Sequence, residues 1–265
     1  MLAHDLIGSG SHTIALLHGI GGGRAIWDDA RGGTARALAA AGWRVLAFDL
    51  PGYGESPPGP DASIGSMAAA VVAALRGLGA RPAVLLGHSM GGMVGLEIAA
   101  TQPQAVGALV LACTSSAFGR PGGDWQEGFV RARLAPLDAG LGMAALARQL
   151  VPSMVAPGTG AAVVDACVEV MARVPEPTYR AVLGAIAGFD RRESLAGIGV
   201  PTLCLSAEHD RTAPPDVMQR MAARLPLGQH QVIAGAGHLA NVEQPSAFAQ
   251  AVIHFLARCG PAAPS

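Results

Sequence analysis

The segment with the clearest chemical potential is residues 87–91, which read Gly-His-Ser-Met-Gly with Ser89 at the centre. An apolar run precedes it and a run of helical character follows it, so the pattern predicts a strand, a sharp turn and a helix. Gly87 and Gly91 suit such a turn because the two backbones approach closely there and a β-carbon would not fit. Ser89 would then stand at the tip of the turn, near helix N–H groups that stabilise negative charge. The segment therefore predicts a nucleophilic serine.

Two residues further along the chain have the chemistry that a nucleophilic serine requires. A serine hydroxyl is a weak nucleophile at neutral pH unless a base takes its proton and a third group orients that base. His238 lies in a glycine-containing turn after the last predicted strand, and Asp210 follows the strand predicted at 202–206. A histidine in such a turn, taken alone, is more often a surface or capping residue than a catalytic base. Together with Ser89 and Asp210, however, His238 predicts a Ser-His-Asp triad.

Such a triad also needs two backbone N–H donors that face the charge developing on the substrate oxygen. The first is expected from Met90, the residue after the serine. The second is expected from the loop at 18–23, His-Gly-Ile-Gly-Gly-Gly, and is assigned to Ile20. His18 is interpreted as a structural residue that shapes the loop.

Other reactive side chains near these segments are interpreted as structural. Asp49 ends a predicted strand, but it precedes the serine and a Pro-Gly turn, so we expect it to organise that turn. The glycine loop at 19–23 does not predict a phosphate site, because no Gly-Lys-Ser/Thr follows it. The remaining side chains given a structural or non-catalytic interpretation are His88, His209, Ser115 and Ser116.

The elements that must position these residues alternate between strand and helix patterns. Strands are predicted at 13–17, 45–48, 83–86, 108–112, 202–206 and 231–233. Helices are predicted at 30–41, 66–78, 92–101, 215–225 and 245–258. Nearly continuous apolar strands are typical of a parallel sheet that is covered on both faces. The alternation therefore predicts a doubly wound α/β sheet, whose ligands bind beyond the carboxyl ends of the strands.

One segment interrupts this alternation. No strand is evident between residues 118 and 190, where four helices are predicted at 125–133, 142–150, 161–174 and 177–187. We expect a core formed by 1–117 and 191–265 and a helical lid formed by 118–190, inserted before the strand that carries the acid. The alternative is a surface elaboration without a role in specificity.

The composition excludes several classes of partner. The chain has 265 residues, of which 51% are hydrophobic, and a formal net charge of −1 without a basic stripe, so nucleic acid is not an expected partner. No apolar run reaches the roughly 18 residues of a membrane span, and the first residues lack the pattern of a signal peptide. The four scattered cysteines suggest buried small side chains, so a cytoplasmic location is expected.

These motifs closely resemble the α/β-hydrolase superfamily over residues 15–256, including the order Ser89, Asp210, His238 and a glycine loop like that of lipases and esterases. The resemblance implies an α/β-hydrolase fold with a mostly parallel, doubly wound sheet and an inserted lid. Residues 237–245 and 142–147 are most similar to the 3-oxoadipate enol-lactonase branch. Residues 148–152, Arg-Gln-Leu-Val-Pro, lack the tryptophan-bearing stretch expected there.

The resemblance implies hydrolysis of a small carboxylic ester or (enol-)lactone through an acyl-enzyme, with no metal or cofactor. Serine at position 89 argues against haloalkane or epoxide opening, for which such relatives carry aspartate. The pocket is expected to be apolar and to include Trp27. Candidate lid cations for a substrate carboxylate are Arg131, Arg133, Arg148, Arg173 and Arg180.

Two other functions remain open from the sequence. The same triad could cleave a C–C bond in a ring-cleavage product. Alternatively, the protein could bind a small molecule without catalysis, although intact triad positions make this reading less favourable. All three readings involve a small-molecule ligand, and the sequence does not indicate an oligomeric state.

Overall fold

The computed structural model describes residues 1–27, 33–119 and 123–259. Within them the strands are β1 (His4–Ile7), β2 (Thr13–Leu17), β3 (Arg44–Phe48), β4 (Ala83–His88), β5 (Val106–Ala112), β6 (Thr202–Ala207) and β7 (Gly228–Ile233). They form one sheet of order β1-β3-β2-β4-β5-β6-β7. β1 runs antiparallel to β3, and every other neighbouring pair is parallel. The predicted doubly wound α/β fold is confirmed.

The α-helices of the described residues are α1 (Thr34–Ala40), α2 (Ile64–Gly77), α3 (Met90–Thr101), α4 (Asp124–Asp138), α5 (Gly142–Leu150), α6 (Ala161–Ala172), α7 (Glu176–Ala187), α8 (Pro215–Ala222), α9 (Ala240–Glu243) and α10 (Pro245–Cys259). Helix α2 packs against α3, and α1 packs against α10. Of the helix predicted at 30–41, residues 30–32 lie outside the described residues. In the remainder, α1 covers Thr34–Ala40 and is one residue shorter than predicted at each end.

Burial explains which strands the sequence revealed. Every residue of β2, β4 and β6 is buried, so these strands read as continuous apolar runs. The edge strands β1 and β7 are partly exposed and contain polar residues. For this reason β1 was not predicted, and β7 begins at Gly228, three residues before the predicted start.

Four helices, α4 to α7, lie between β5 and β6, in the segment predicted to be helical. The two ends of this insertion are adjacent. Ala117 and Asp190 form an isolated β-bridge, and the Phe118 N–H donates to the Phe189 carbonyl at 3.1 Å. Helix α4 runs five residues further than predicted, with Pro136 near its end. The insertion therefore leaves and re-enters the core at one place beside the sheet.

Neither a disulfide nor a membrane helix is found in the part of the chain that the structure describes. Of the four cysteines, Cys113, Cys167 and Cys204 are buried, and Cys259 is half-buried. None of the described helices is long and apolar enough to cross a bilayer.

Candidate active site

Ser89 occupies the predicted turn between β4 and α3. Its backbone has φ 51° and ψ −117°, a left-handed conformation that non-glycine residues rarely adopt. Two hydrogen bonds hold the turn: the Ser89 N–H donates to the Ala112 carbonyl at 2.9 Å, and Thr114 Oγ1 donates to the Ser89 carbonyl at 2.6 Å. The strained backbone is thus fixed by β5 and the residues after it, and it presents the side chain at the carboxyl edge of the sheet.

The glycines of the turn are required by close backbone contacts. A β-carbon on Gly91 would lie 2.1 Å from the Leu17 carbonyl oxygen, and one on Gly87 would lie 2.2 Å from the Gly91 oxygen. Neither backbone can retreat without moving β2 or α3. The steric reason inferred from the sequence for both glycines is confirmed.

We expect Gly91→Ala to destabilise the protein by about 3 kcal/mol or more, because a backbone must shift to admit the methyl group. Gly184→Ala is the matched control, since Gly184 lies within α7 and a β-carbon there meets nothing within 4 Å. That substitution should stabilise the protein by about 0.5 to 1 kcal/mol. Urea unfolding of both variants measures the two effects. Equal stabilities would contradict the close-contact argument.

The structure brings Ser89, His238 and Asp210 into one hydrogen-bonded chain. His238 Nε2 lies 3.1 Å from Ser89 Oγ, and His238 Nδ1 lies 2.8 Å from Asp210 Oδ2. Because an ionised carboxylate only accepts, Nδ1 carries the proton and Nε2 is free to accept the serine proton. Such an arrangement can activate a hydroxyl for attack on a carbonyl carbon.

Asp210 lies in a buried loop after β6. Burial opposes its ionisation, but the charge and hydrogen bond of His238 and the N–H groups of Ala213 and Thr212 outweigh it, so the pKa of Asp210 stays below its usual value. Thr212 and Ala213 donate to Oδ1 at 2.8 and 3.0 Å, while Oδ2 faces His238. Each carboxylate oxygen therefore has its own partners, which fixes the orientation of the carboxylate.

The loop after β2 packs directly against the serine. A β-carbon on Gly19 would lie 3.2 Å from the Ser89 Cβ, and Ile20 and Met90 line the same cavity as Ser89. His18 Nδ1 donates to the Gly19 carbonyl at 2.8 Å, and Nε2 accepts from the Leu50 N–H at 3.0 Å. Burial lowers the pKa of His18 to about 4, so the ring stays neutral and suits both bonds. His18 thus shapes the loop, as interpreted from the sequence.

His88 has a supporting contact that the sequence did not suggest. It faces the backbone of His238, where its Nε2 donates to the His238 carbonyl at 2.7 Å. Burial, reinforced by the nearby His238, lowers the pKa of His88 to about 3. A neutral His88, in the turn that contains Ser89, therefore anchors the loop that contains His238.

Glu243 is a second residue that sequence reasoning missed. Its carboxylate accepts from the N–H groups of Gly237 and Leu239, on either side of His238, at 3.0 and 3.1 Å. It also accepts from the Ala156 N–H at 2.7 Å and from Thr159 Oγ1 at 3.0 Å, both in the insertion. One carboxylate thus joins the histidine loop to the inserted helices. Its position within the 237–245 motif was the available signal.

Glu243→Gln is expected to destabilise the protein by about 2 kcal/mol, because the amide NH₂ would face N–H donors that have lost their acceptor. Glu176→Gln is the control, since the half-buried pair of Glu176 with Arg180, four residues apart on α7, contributes only about 0.5 kcal/mol. Thermal unfolding compares the two variants. A Glu243→Gln protein as stable as the control would show that this carboxylate does not hold the loop.

Ser89 and His238 open into a cavity of about 820 Å³. The inserted helices contribute much of its wall. Its apolar lining includes Met90, Met93, Phe118, Phe129, Leu183 and Ile186. The wall in the described part of the chain does not include Trp27, which was expected there. Trp27 is instead fully buried in the core, with its ring centroid 6.4 Å from that of Phe248.

The other reactive side chains lie outside the Ser89–His238–Asp210 chain. Asp49 accepts from the N–H groups of Arg24 and Glu55 and pairs with the Arg24 guanidinium, so it organises its turn as expected. His209 is largely exposed. Ser115 Oγ bonds to the backbone of Ala117, not to a histidine.

The chain resembles known proteins in both sequence and fold. The family model described as the alpha/beta hydrolase fold matches residues 13–245. RutD of Variovorax paradoxus, provisionally designated a carbamate hydrolase, is 34% identical over 252 residues, covering 93% of this chain and 92% of that protein. A 2-hydroxy-6-oxononadienedioate/2-hydroxy-6-oxononatrienedioate hydrolase from Pseudomonas sp is 30% identical over 256 residues, covering 95% and 90%.

Among solved structures, the enol-lactonase from Burkholderia xenovorans LB400 matches with a TM-score of 0.85 and 25% identity, covering 97% of this chain and 96% of that one. The matched family region contains β2 to α9, and with them the residues that form the hydrogen-bonded chain. Sequence, sheet order and relatives agree, and the chain belongs to the alpha/beta hydrolase family.

Proposed function

We propose that this protein is a serine hydrolase that cleaves a small carboxylic ester or lactone through an acyl-enzyme. The observation that carries the proposal is the hydrogen-bonded chain from Ser89 through His238 to Asp210, in which Ser89 and His238 line a largely apolar cavity. A cavity of about 820 Å³ is within the range that holds a small organic ligand. The enol-lactonase match supports an ester bond as the target.

In the proposed reaction, Ser89 Oγ attacks the substrate carbonyl carbon while His238 Nε2 takes the hydroxyl proton. The N–H groups of Met90 and Ile20 stabilise the resulting oxyanion. His238 then protonates the leaving oxygen, which departs and leaves an ester on Ser89. Water, deprotonated by His238, attacks this ester and restores the serine. Asp210 keeps the imidazole in the tautomer that both steps require.

We further propose that residues 118–190 act as a lid over a core made of 1–117 and 191–265. Helices α4, α6 and α7 supply cavity-lining residues, so the insertion shapes the space that a substrate would fill. The insertion also contacts the histidine loop, since the His238 N–H donates to the Met154 carbonyl at 2.7 Å. The lid would therefore determine substrate size and position the base.

C–C bond cleavage is the second candidate, and the Pseudomonas hydrolase that is 30% identical favours it. RutD is provisionally designated a carbamate hydrolase, so a carbamate is a third candidate substrate for Ser89. All three reactions begin at a carbonyl carbon, so substrate assays must separate them.

The test combines a serine-directed phosphonate with turnover of a 4-nitrophenyl ester, a lactone panel, a carbamate and a coloured ring-cleavage product. We expect one phosphonate adduct, located on Ser89 by peptide mass, together with loss of esterase or lactonase turnover. Decolourisation of the ring-cleavage product without ester turnover would favour the C–C reaction. The absence of both an adduct and turnover would contradict a serine hydrolase.

A further inference from the structure

Arg133 of α4 stands in the wall of the cavity that contains Ser89 and His238. Its guanidinium carbon lies 3.2 Å from the centroid of the Phe129 ring, and Nη1 makes one long bond, 3.4 Å, to the Phe129 carbonyl. The side chain is half-buried, and among the described residues no carboxylate pairs with it. The guanidinium therefore faces apolar surroundings with most of its donors unused.

The other lid arginines considered from the sequence do not share this position. Arg180 pairs with Glu176 and Asp138. The remaining three are exposed and lie outside the described cavity wall: Arg131, Arg148 and Arg173.

The other arginines of the described cavity wall also differ from Arg133. Arg192 pairs with Asp190, and Arg220 pairs with Asp216. Arg211 and Arg224 are exposed to solvent, which hydrates their charge. Arg133 is thus the described cavity-lining arginine that is both withdrawn from solvent and without a carboxylate.

Tyr179 of α7 gives an independent indication at the same wall. The residue is fully buried and lines the cavity, and its hydroxyl has no hydrogen-bond partner in the described part of the chain. Buried hydroxyls are rarely left unpaired, because the lost hydrogen bonds to water are not replaced. Arg133 is close enough that its charge acts on the phenol, opposing the burial that raises the pKa of Tyr179 to about 12.

The Arg133 guanidinium and the Tyr179 hydroxyl both keep their protons at neutral pH and can donate hydrogen bonds. Burial lowers the pKa of Arg133 to about 10, which still leaves the guanidinium charged. A charged group that burial has partly desolvated gains from a bound anion, and the planar guanidinium matches the two oxygens of a carboxylate.

We infer that Arg133, with Tyr179 beside it, forms a carboxylate subsite, and that the substrate is an ester or lactone whose acyl portion carries a second, free carboxylate. The inference rests on the proposed function and narrows it to the esters or lactones of dicarboxylic or keto acids. Arg133 would hold the remote carboxylate while the ester carbonyl meets Ser89. It would act as a specificity residue, distant from the bond that breaks.

The test compares 4-nitrophenyl hydrogen glutarate with its methyl-capped diester, which is neutral but otherwise matched. The measured quantity is the ratio of the two kcat/KM values after subtraction of the uncatalysed rates. We expect the wild-type protein to prefer the free carboxylate by about 10- to 100-fold, the range of a hydrogen bond to a charged group. Arg133→Met should abolish the preference, and Tyr179→Phe should reduce it several-fold.

Arg131→Met is the matched control, because it removes the same charge from an exposed position on α4. It should keep the wild-type ratio. An unchanged ratio in Arg133→Met, with both substrates still hydrolysed, would overturn the subsite and leave the proposed function standing.

Binding gives a readout that does not depend on turnover. Glutarate should raise the Tm of the wild-type protein and of Arg131→Met, but not that of Arg133→Met. Equal shifts in all three proteins, or none, would overturn the subsite. If neither ester were hydrolysed while glutarate still stabilised through Arg133, the proposed function would fail and the subsite would stand.

Discussion

Replacing Ser89 by alanine is expected to lower kcat by about 10⁴- to 10⁶-fold on any ester or lactone that the wild-type protein hydrolyses. The loss is large because alanine leaves His238 without a hydroxyl to deprotonate, and the acyl-enzyme cannot form. Residual catalysis would come from the oxyanion donors and from binding alone. The fold should persist, since the backbone bonds of the turn to Ala112 and Thr114 do not involve the Ser89 side chain.

The measurement is steady-state turnover, with circular dichroism and thermal unfolding to verify the fold. Ser115→Ala is the matched control, because its hydroxyl is engaged by the backbone of Ala117 and does not reach His238. This control should retain the reaction and still accept the phosphonate. Full activity in Ser89→Ala would show that Ser89 is not the nucleophile. Complete loss of activity in Ser115→Ala would indicate that Ser115, not Ser89, has that role.

The sequence predicted the features that local chemistry determines. The turn around Ser89 is recognisable from its glycines. A β-carbon at either glycine would lie about 2 Å from a neighbouring backbone oxygen, so no other residue fits there. Asp210 and His238 were recognisable because each follows a strand of the parallel sheet, and the topology then places both strand ends at one edge. The 3.1 Å contact between His238 and Ser89 is therefore a consequence of the strand order.

Features that depend on packing between distant segments were not predictable. Trp27 has a large aromatic side chain of the kind that lines ligand pockets. The position of α10 nevertheless places it against Phe248 in the core. The role of Glu243 depends on a contact with Ala156, 87 positions away. Five lid arginines looked equivalent in the sequence, and the fold of the insertion distinguishes Arg133 from the others. β1 was missed because an edge strand need not be apolar.

Asp210→Asn should have the second large effect, and the reason lies in how each oxygen of the carboxylate is used. Oδ1 accepts from the N–H groups of Thr212 and Ala213, so the asparagine oxygen should take that position. The amide NH₂ would then face His238 Nδ1. Because the NH₂ donates a hydrogen bond, Nδ1 must act as the acceptor and cannot carry a proton. The proton moves to Nε2, and a protonated Nε2 cannot receive the proton of Ser89.

We therefore expect kcat to fall about 10⁴-fold in Asp210→Asn, with the geometry of the site preserved. Asp216→Asn is the control, because Asp216 is exposed and pairs with Arg220 on the surface of α8. It should change neither kcat nor stability measurably. Turnover of both variants on the same ester measures the effect, and an NMR spectrum of the His238 ring nitrogens reports the tautomer. Wild-type turnover in Asp210→Asn would assign the orienting role to a different group, because the amide cannot hold the proton on Nδ1.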